Sequence, residues 1–374
     1  MNVHPLLRLR AWLRHTLREP RLDLPLLAAL ILLALIGLVT LYSASDLDRH
    51  LVLNQALRFA LGGLFLLLLS RVPPNVLRNW TPWLYLASLA LLVAVALHGQ
   101  GRGANRWLNL GVMRFQPSEL VKLTLPMMIA WYLHARELPP RWLTLGTVAV
   151  LILAPTLLIA KQPDLGTALL VTASGVFAVF LAGLAWWRIF VLLGAAATAA
   201  PLLWHWHFLH EYQRNRLRMF LNPEADPLGN GWHIIQSEIA VGSGGMWGKG
   251  WHHGTQSRLE FLPEHTTDFV FAVFSEEWGL IGVVALLALY LFIVGRGLII
   301  AANARDTYSR LLAGSISMAF FVYVMVNGGM ITGLLPVVGV PLPLISYGGT
   351  SAVSLLAGFG VLMSIHAHRK FMSG

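Results

Sequence analysis

The stretch from Pro25 to Ser43 reads PLLAALILLALIGLVTLYS, nineteen residues without a charge. Coiled as an α-helix, an apolar run of that length matches the hydrocarbon layer of a bilayer. Runs of the same kind recur along the chain, at roughly 25–43, 52–70, 82–98, 117–134, 142–160, 165–183, 188–204, 268–294, 309–332 and 345–366. Composition agrees. Of the 374 residues, 56% are hydrophobic and only 12% are charged, whereas soluble domains are about a quarter charged. No soluble domain of this length buries so much apolar surface, so lipid must cover the rest. The expected fold class is an all-α polytopic membrane protein of about ten transmembrane helices.

A net charge of +10 suggests nucleic acid in a soluble chain. No RNA or DNA motif and no basic domain accompany it here, so nucleic-acid binding is set aside. Arginines in short cytoplasmic loops account for the charge instead. With the N-terminus inside, the inner segments hold fifteen basic residues: Arg8, Arg10, Arg14, Arg18, Arg21, Arg71, Arg78, Arg136, Arg141, Arg188, Arg296, Arg305, Arg310, Arg369 and Lys370. The short outer loops hold five, Arg49, Arg102, Arg106, Arg114 and Lys161. The segment 205–267 is left out, because long loops cross regardless of charge. Both termini are therefore expected in the cytoplasm, with a large periplasmic loop over 205–267 before the eighth span. Residues 1–24 form a cytoplasmic N-terminal segment. Its Arg-rich, amphipathic part up to Arg21 lacks a small-residue cleavage site, so it is read as retained. Residues 25–370 form one membrane domain, and 371–374 a cytoplasmic tail. The chain has no cysteine, which excludes disulfides and thiolate chemistry.

Acidic residues cluster in Glu260-Phe261-Leu262-Pro263-Glu264-His265-Thr266-Thr267-Asp268-Phe269, which runs straight into an apolar helix. A carboxylate at the mouth of a membrane helix is costly and marks a functional candidate. Capping of the helix is the bland alternative for Asp268, although Thr266 and Thr267 are also suited to it. Two turns deeper, Glu276 and Glu277 require a polar cavity or a basic partner. In Gln116-Pro117-Ser118-Glu119-Leu120-Val121-Lys122, Glu119 and Lys122 share a helix face. They form either a structural salt bridge or the wall of a cavity for a charged lipid head. The short elbow Lys161-Gln162-Pro163-Asp164-Leu165-Gly166-Thr167 brings Lys161 and Asp164 to one membrane surface, with Asp164 suited to capping.

Two glycine-rich runs complete the pattern. Gly242-Ser243-Gly244-Gly245-Met246-Trp247-Gly248-Lys249-Gly250-Trp251 fails as a phosphate loop, because Ser243 and Gly250 occupy positions that need Gly and Ser or Thr. It is expected to lie on the membrane surface with its tryptophans at headgroup level. The run Gly333 to Thr350 carries Pro336, Pro341 and Pro343, so it breaks the helix and lines a cavity or re-enters the membrane. Ser346, Tyr347 and Thr350 are its uncharged donors. His205, His207, His210, His252, His253 and His265 are scattered, and none forms a helical i, i+4 ligand pair beside a carboxylate.

Five ordered motifs resemble the SEDS family (shape, elongation, division and sporulation) over nearly the whole chain. They are Arg114-Phe115-Gln116-Pro117-Ser118-Glu119, Gln162-Pro163-Asp164-Leu165-Gly166-Thr167, Gly231-Trp232-His233-Ile234-Ile235-Gln236-Ser237, Leu262 to Phe269, and Pro341 to Gly349. Within the family the resemblance is nearest to the rod-elongation members; the division members share the motifs. The resemblance implies a ten-span enzyme of the bacterial inner membrane that polymerises lipid II into glycan strands. It implies as partners a class B penicillin-binding protein, the transpeptidase that cross-links those strands, and other membrane proteins of the elongation machinery. The family's essential aspartate carries over to Asp268, and its polar cavity residues to Glu119, Lys122 and Asp164.

On that reading the chemistry is one inverting displacement. A base takes the proton of the acceptor sugar hydroxyl. Pyrophosphate leaves without a protonating acid, so cations must neutralise it. The nearby candidates are Arg106, Arg114, Lys122, Lys161 and Arg214 to Arg218, and a divalent cation (magnesium or manganese) held by Asp268 or Glu119. Asp268 is then the base or a metal ligand. The rival readings are a lipid II flippase, a division-type polymerase and a non-catalytic scaffold of the elongation complex.

Overall fold

The computed structural model describes residues 22–98, 106–109, 114–188, 230–255 and 266–369, with positions 190, 191, 194, 198, 214, 216 and 218–220 between. The N-terminal segment to Arg21, Arg102, most of the 205–267 loop with Glu260, Glu264, His205, His207, His210 and His265, and the tail from Lys370 lie outside the described residues.

Ten helices are bounded within them: α1 (Leu24–Ala44), α2 (Arg49–Ser70), α3 (Pro74–His98), α4 (Ser118–His134), α5 (Trp142–Ala160), α6 (Leu165–Leu181), α7 (Asn230–Ser243), α8 (Val270–Ala302), α9 (Thr307–Ile331) and α10 (Thr350–Ala367). Seven of these are long and apolar enough to cross a membrane, and α6 is a shorter apolar helix. The positions described within the expected span 188–204 are helical. One feature departs from an all-helical chain. Two-residue strands β1 (Leu108–Asn109) and β2 (Arg114–Phe115) pair antiparallel, with Leu108 opposite Phe115. Strands that short leave no periodicity to read.

Aspartates start several of the helices. Asp23 accepts from the Leu26 N–H at 3.0 Å, Asp48 from His50 at 2.8 Å, Asp164 from Thr167 at 3.2 Å and Asp306 from Ser309 at 2.9 Å. Each satisfies a backbone donor that the first helical turn leaves open. The bounds differ from the apolar runs where proline or glycine intervenes. α3 starts at Pro74 rather than near 82, because proline suits a first turn. α10 starts at 350 rather than 345, because Pro341, Pro343 and a left-handed Leu344 keep the preceding chain irregular.

The core sits on α9 and α10, whose apolar windows are 67% and 61% buried, against 17% for α2. α9 packs on α4, α6 and α8, while α10 packs along α2. At one end of the bundle Asp23 ties three helices together. Arg296 of α8 donates to both its oxygens, at 3.0 and 2.9 Å, and His366 of α10 lies 3.4 Å away. Burial alone would raise the Asp23 carboxyl. The hydrogen bonds from Arg296 and Leu26 and the charges of Arg296 and His366 outweigh it, holding the group below its ordinary value.

The glycine run does more than lie on a surface. α8 breaks at Gly279, which has φ 62° and ψ −166°. Into that break fit residues 244–250: Leu280 and Ile281 donate to the carbonyls of Gly245 and Met246, at 2.9 and 3.2 Å, and Lys249 and Gly250 donate to those of Glu276 and Glu277, both at 3.0 Å. A Cβ on Gly279 would overlap the Gly248 nitrogen, and one on Gly248 the Glu277 carbonyl. The glutamate pair holds the same joint. Glu276 accepts from Lys249 Nζ at 2.6 Å and from the Thr255 N–H at 2.8 Å. Glu277 accepts from the Ser43 hydroxyl and from the His252 N–H at 3.1 Å. The basic partner expected for one glutamate is Lys249. Of the tryptophans in the run, Trp247 is 82% exposed and Trp251 40%.

We expect Gly279→Ala to cost more than about 1 kcal/mol, since it adds both left-handed strain and overlap. Thermal unfolding in detergent measures it, with Gly295→Ala as control because no atom lies within 4 Å of its added Cβ. A parental melting temperature for Gly279→Ala would show that the break does not require glycine.

A candidate active site in a polar cavity

Three local structures converge on one cavity. The first is the start of α4. Pro117 and Ser118 open the helix, and Glu119 then sits one turn before Lys122. Lys122 Nζ lies 2.7 Å from Glu119 Oε1, with side chains only 11% and 6% exposed. Ser354 of α10 donates to Glu119 Oε2 at 2.6 Å. Lys122 also stands 5.1 Å from the ring centre of Tyr323 on α9.

The second is the elbow between α5 and α6. Asp164 caps α6 and also accepts from Gln116 Nε2 at 3.1 Å. Arg106, beside the short ribbon, approaches Asp164 at 3.7 Å and donates to the carbonyls of Gln162, at 3.4 Å, and Pro163. Gly166 lets the elbow pack against the Val338 carbonyl, which a Cβ would crowd.

The third is the irregular chain between α9 and α10. Asn327 of α9 donates from one amide nitrogen to the Val340 carbonyl at 2.7 Å and to the Asp268 carbonyl at 2.9 Å. That amide fixes the entry to α8 against this chain. Gly339, at φ +72°, faces Asp268: a Cβ there would lie 3.3 Å from the carboxylate Oδ2. The Tyr347 N–H donates to the Thr266 carbonyl at 2.8 Å and joins the two segments again.

Between them lies a cavity of about 160 Å³. Its charged and amide walls are Arg106, Gln116, Glu119, Lys122 and Asp164, and its other wall is formed by Gly339–Pro341 and Gly348–Ser351. The first turns of α4, α6 and α10 all reach it. Helix N-termini carry partial positive charge. Glu119 and Asp164 answer it on α4 and α6, while α10 has no acid in its first turn and no side-chain cap.

The family model of the cell cycle proteins FtsW, RodA and SpoVE matches residues 23–371. The chain belongs to that family. It is 51% identical to the peptidoglycan glycosyltransferase MrdB of Escherichia coli K12, over 95% of each chain. It is 34% identical to the stage V sporulation protein E of Bacillus subtilis, over 95% of this chain and all of the relative. Among solved structures, the Thermus thermophilus rod shape determining protein RodA superimposes with a TM-score of 0.71 at 32% identity, covering 93% of this chain and 98% of that one. A chain from a structure describing the coordination of polymerization and crosslinking by a peptidoglycan synthase complex reaches 0.82 at 36% identity, covering 94% and 99%.

In this FtsW/RodA/SpoVE member the site residues expected from sequence do not all converge. Glu119, Lys122, Asp164 and Arg106 line the cavity, and Asp268 adjoins it through Gly339. Asp268 is not at the N-cap position of α8, which falls on Phe269 without a side-chain cap. Ser346 is turned into its own loop, where its hydroxyl accepts from the Leu342 N–H at 2.7 Å. The Tyr347 ring carries the guanidinium of Arg58 at 4.4 Å. Lys161 ends α5 exposed, and Arg114 belongs to β2, opposite Asn109. Neither Lys161 nor the described Arg214, Arg216 and Arg218 is among the lining residues, and the side chain of Arg114 lies outside what the structure describes. Asn327, Ser354 and Arg58 went unread, although an amide and a guanidinium inside apolar runs were signals in themselves.

No three His, Asp or Glu side chains group together among the described residues. Glu119 and Asp164 already hold cationic or amide donors.

Glu119→Gln and Lys122→Met should each strand a buried charge or its partner and cost about 3–5 kcal/mol. The exchanged pair, Glu119→Lys with Lys122→Glu, should recover part of that loss. Thermal unfolding of the purified variants decides it: parental stability in both singles would show that the pair holds nothing.

Proposed function

We propose that this chain is a peptidoglycan glycosyltransferase that polymerises lipid II, with Asp268 as the base. The observation that carries the reading is the polar cavity itself, charged on one wall, irregular backbone on the other, with Asp268 next to it across Gly339. Burying such groups among membrane helices is costly without a polar ligand to receive. The 51% identical relative is a peptidoglycan glycosyltransferase.

The chemistry follows from the groups available. Asp268 accepts the proton of the acceptor sugar hydroxyl, whose oxygen attacks the anomeric carbon of the donor. The bond to pyrophosphate breaks with inversion, and the leaving group takes the electron pair. Lys122 and Arg106 offer positive charge to it, tempered by their own carboxylate partners. Magnesium often pairs one or two carboxylates with substrate phosphates, and Asp268 would be its ligand in that role; no step above depends on it. The partner is a class B penicillin-binding transpeptidase, a reading supported by the likeness to a chain from a peptidoglycan synthase complex.

Asn in place of Asp268 keeps the shape but not the basicity. We expect Asp268→Asn to lose about a hundredfold or more of polymer formation while its melting temperature stays parental. The assay is gel analysis of labelled lipid II with purified protein, run with and without the transpeptidase. Near-parental polymer from a stable Asp268→Asn would remove Asp268 from the chemistry. Lipid movement in sealed vesicles without polymer from the parent would favour a flippase, and neither activity a scaffold.

The cavity is proposed to face the periplasm, on the charge asymmetry of fifteen to five. The chain has no cysteine, so single cysteines report cleanly. Trp247→Cys should react with an impermeant thiol reagent in cells with a permeabilised outer membrane, and Asn303→Cys should not. The reverse pattern would invert the topology.

A further inference from the structure

Resting on the reading above, we infer that Arg58 of α2 is a further cation that binds the pyrophosphate of the lipid-linked substrate. Nothing in the sequence motifs points to this residue. Arg58 is the tenth residue of a 22-residue apolar helix, about 14 Å along it from Arg49 at the rise of an α-helix. A guanidinium at that depth ordinarily pairs with a carboxylate or faces a polar cavity.

No carboxylate answers it. Among the described residues the ion pairs engage Arg106, Lys122, Arg141, Lys249 and Arg296, and not Arg58. Its Nη1 is sealed from solvent and makes no hydrogen bond. What Arg58 does touch positions it. The ring of Tyr347 lies 4.4 Å from its Cζ, a cation–π contact that orients the plane without neutralising the charge. Gly349 also lies close to it, with Cζ 3.5 Å from the place of an added Cβ. Gln55, one turn earlier on α2, accepts from the Gly348 N–H at 3.3 Å and donates to the Ser346 carbonyl at 3.4 Å. The helix carrying Arg58 is therefore pinned to the wall that carries Gly348 and Gly349.

Those two glycines line the cavity. Arg58 stands behind Gly349 rather than among the lining residues, and the cations that do line the cavity, Arg106 and Lys122, differ from it in one respect. Lys122 is held by Glu119 and Arg106 approaches Asp164, so each brings its own negative charge. The wall at Gly349 has a guanidinium and the start of α10, which has no side-chain cap and no acid of its own in its first turn, while the Glu119 carboxylate reaches that helix one turn further in, at Ser354. Arg58 thus adds a positive group without a carboxylate of its own beside that wall, and a guanidinium offers paired donors to phosphate oxygens. The chemistry that fits is a phosphate or diphosphate ester, and the pyrophosphate of a polyprenyl-linked sugar supplies it. An anionic phospholipid head would present similar oxygens and is the competing occupant.

The experiment uses the full chain with its transpeptidase in nanodiscs, with and without phosphatidylglycerol. Polymerisation of lipid II by the parent comes first; its failure would reject the functional reading whatever Arg58 does. Given polymer, Arg58→Gln should raise KM for lipid II about tenfold or more, as loss of a charged hydrogen-bond donor does. Inhibition of the parent by added undecaprenyl pyrophosphate should weaken by a similar factor in the variant. Equilibrium binding of labelled lipid II, measured in the inactive Asp268→Asn background, should fall in parallel when Arg58→Gln is added. Arg58→Lys keeps the charge without the fork and should give a smaller rise, which keeps the test open if Arg58→Gln does not fold. Parental KM and parental product inhibition in the folded variants would overturn the assignment. So would a defect that appears only with phosphatidylglycerol present, which would give the residue to a phospholipid head.

Discussion

No water answers a polar group inside the hydrocarbon layer, so each charge in this bundle has to be answered by protein or ligand. That constraint builds the fold as well as the site. Asp23 meets Arg296 and His366, and the contact joins α1, α8 and α10. Glu276 meets Lys249 and Thr255, locking the glycine turn into the break of α8. Glu119 meets Lys122 and Ser354, joining α4 to α10. Asp164 meets Gln116 and Arg106, bringing the small ribbon to the head of α6. Removing any one carboxylate would loosen a helix joint as well as leave a charge unanswered, which is why stability has to be read beside activity in every variant.

Irregular backbone obeys the same rule. The chain between α9 and α10 survives within the bundle because its free groups are claimed one by one. Asn327 takes the Val340 carbonyl, Tyr290 the Pro343 carbonyl at 2.7 Å, Gln55 the Ser346 carbonyl and Ser346 the Leu342 N–H. Asn327 matters most for position, because the same amide nitrogen also holds the Asp268 carbonyl. Placement of Asp268 is thus tied to the wall it faces, independently of the capping of α8.

Much of this was legible in sequence because its signals were local. Apolar runs located the helices, Pro117 and Asp164 marked the starts of α4 and α6, and Pro163 marked the break before α6. The i, i+3 spacing of Glu119 and Lys122 showed their pairing, since one helical turn is enough to bring them together. What was not legible depended on distant segments. Nothing near Gly244 or Gly248 says that they enter a helix broken much further along the chain, at Gly279. Ser346 looked like a cavity donor because its neighbours are, yet its hydroxyl serves its own turn. Arg58 lies in a run whose apolar content hides a single guanidinium.

The distribution of charge around the cavity bears on how one displacement could proceed. Inversion requires the base and the leaving group on opposite faces of the donor sugar. On the proposed reading Asp268 addresses the cavity near Gly339, while the unpaired guanidinium of Arg58 adjoins Gly349. Both glycines belong to the same irregular segment, braced by Asn327 at one end and Gln55 at the other. The separation between the proton acceptor and the diphosphate site is then set by the backbone of that segment rather than by flexible side chains. Placing a fixed negative group and a fixed positive group before substrate arrives lowers the reorganisation needed as charge moves from the acceptor oxygen to the departing phosphate.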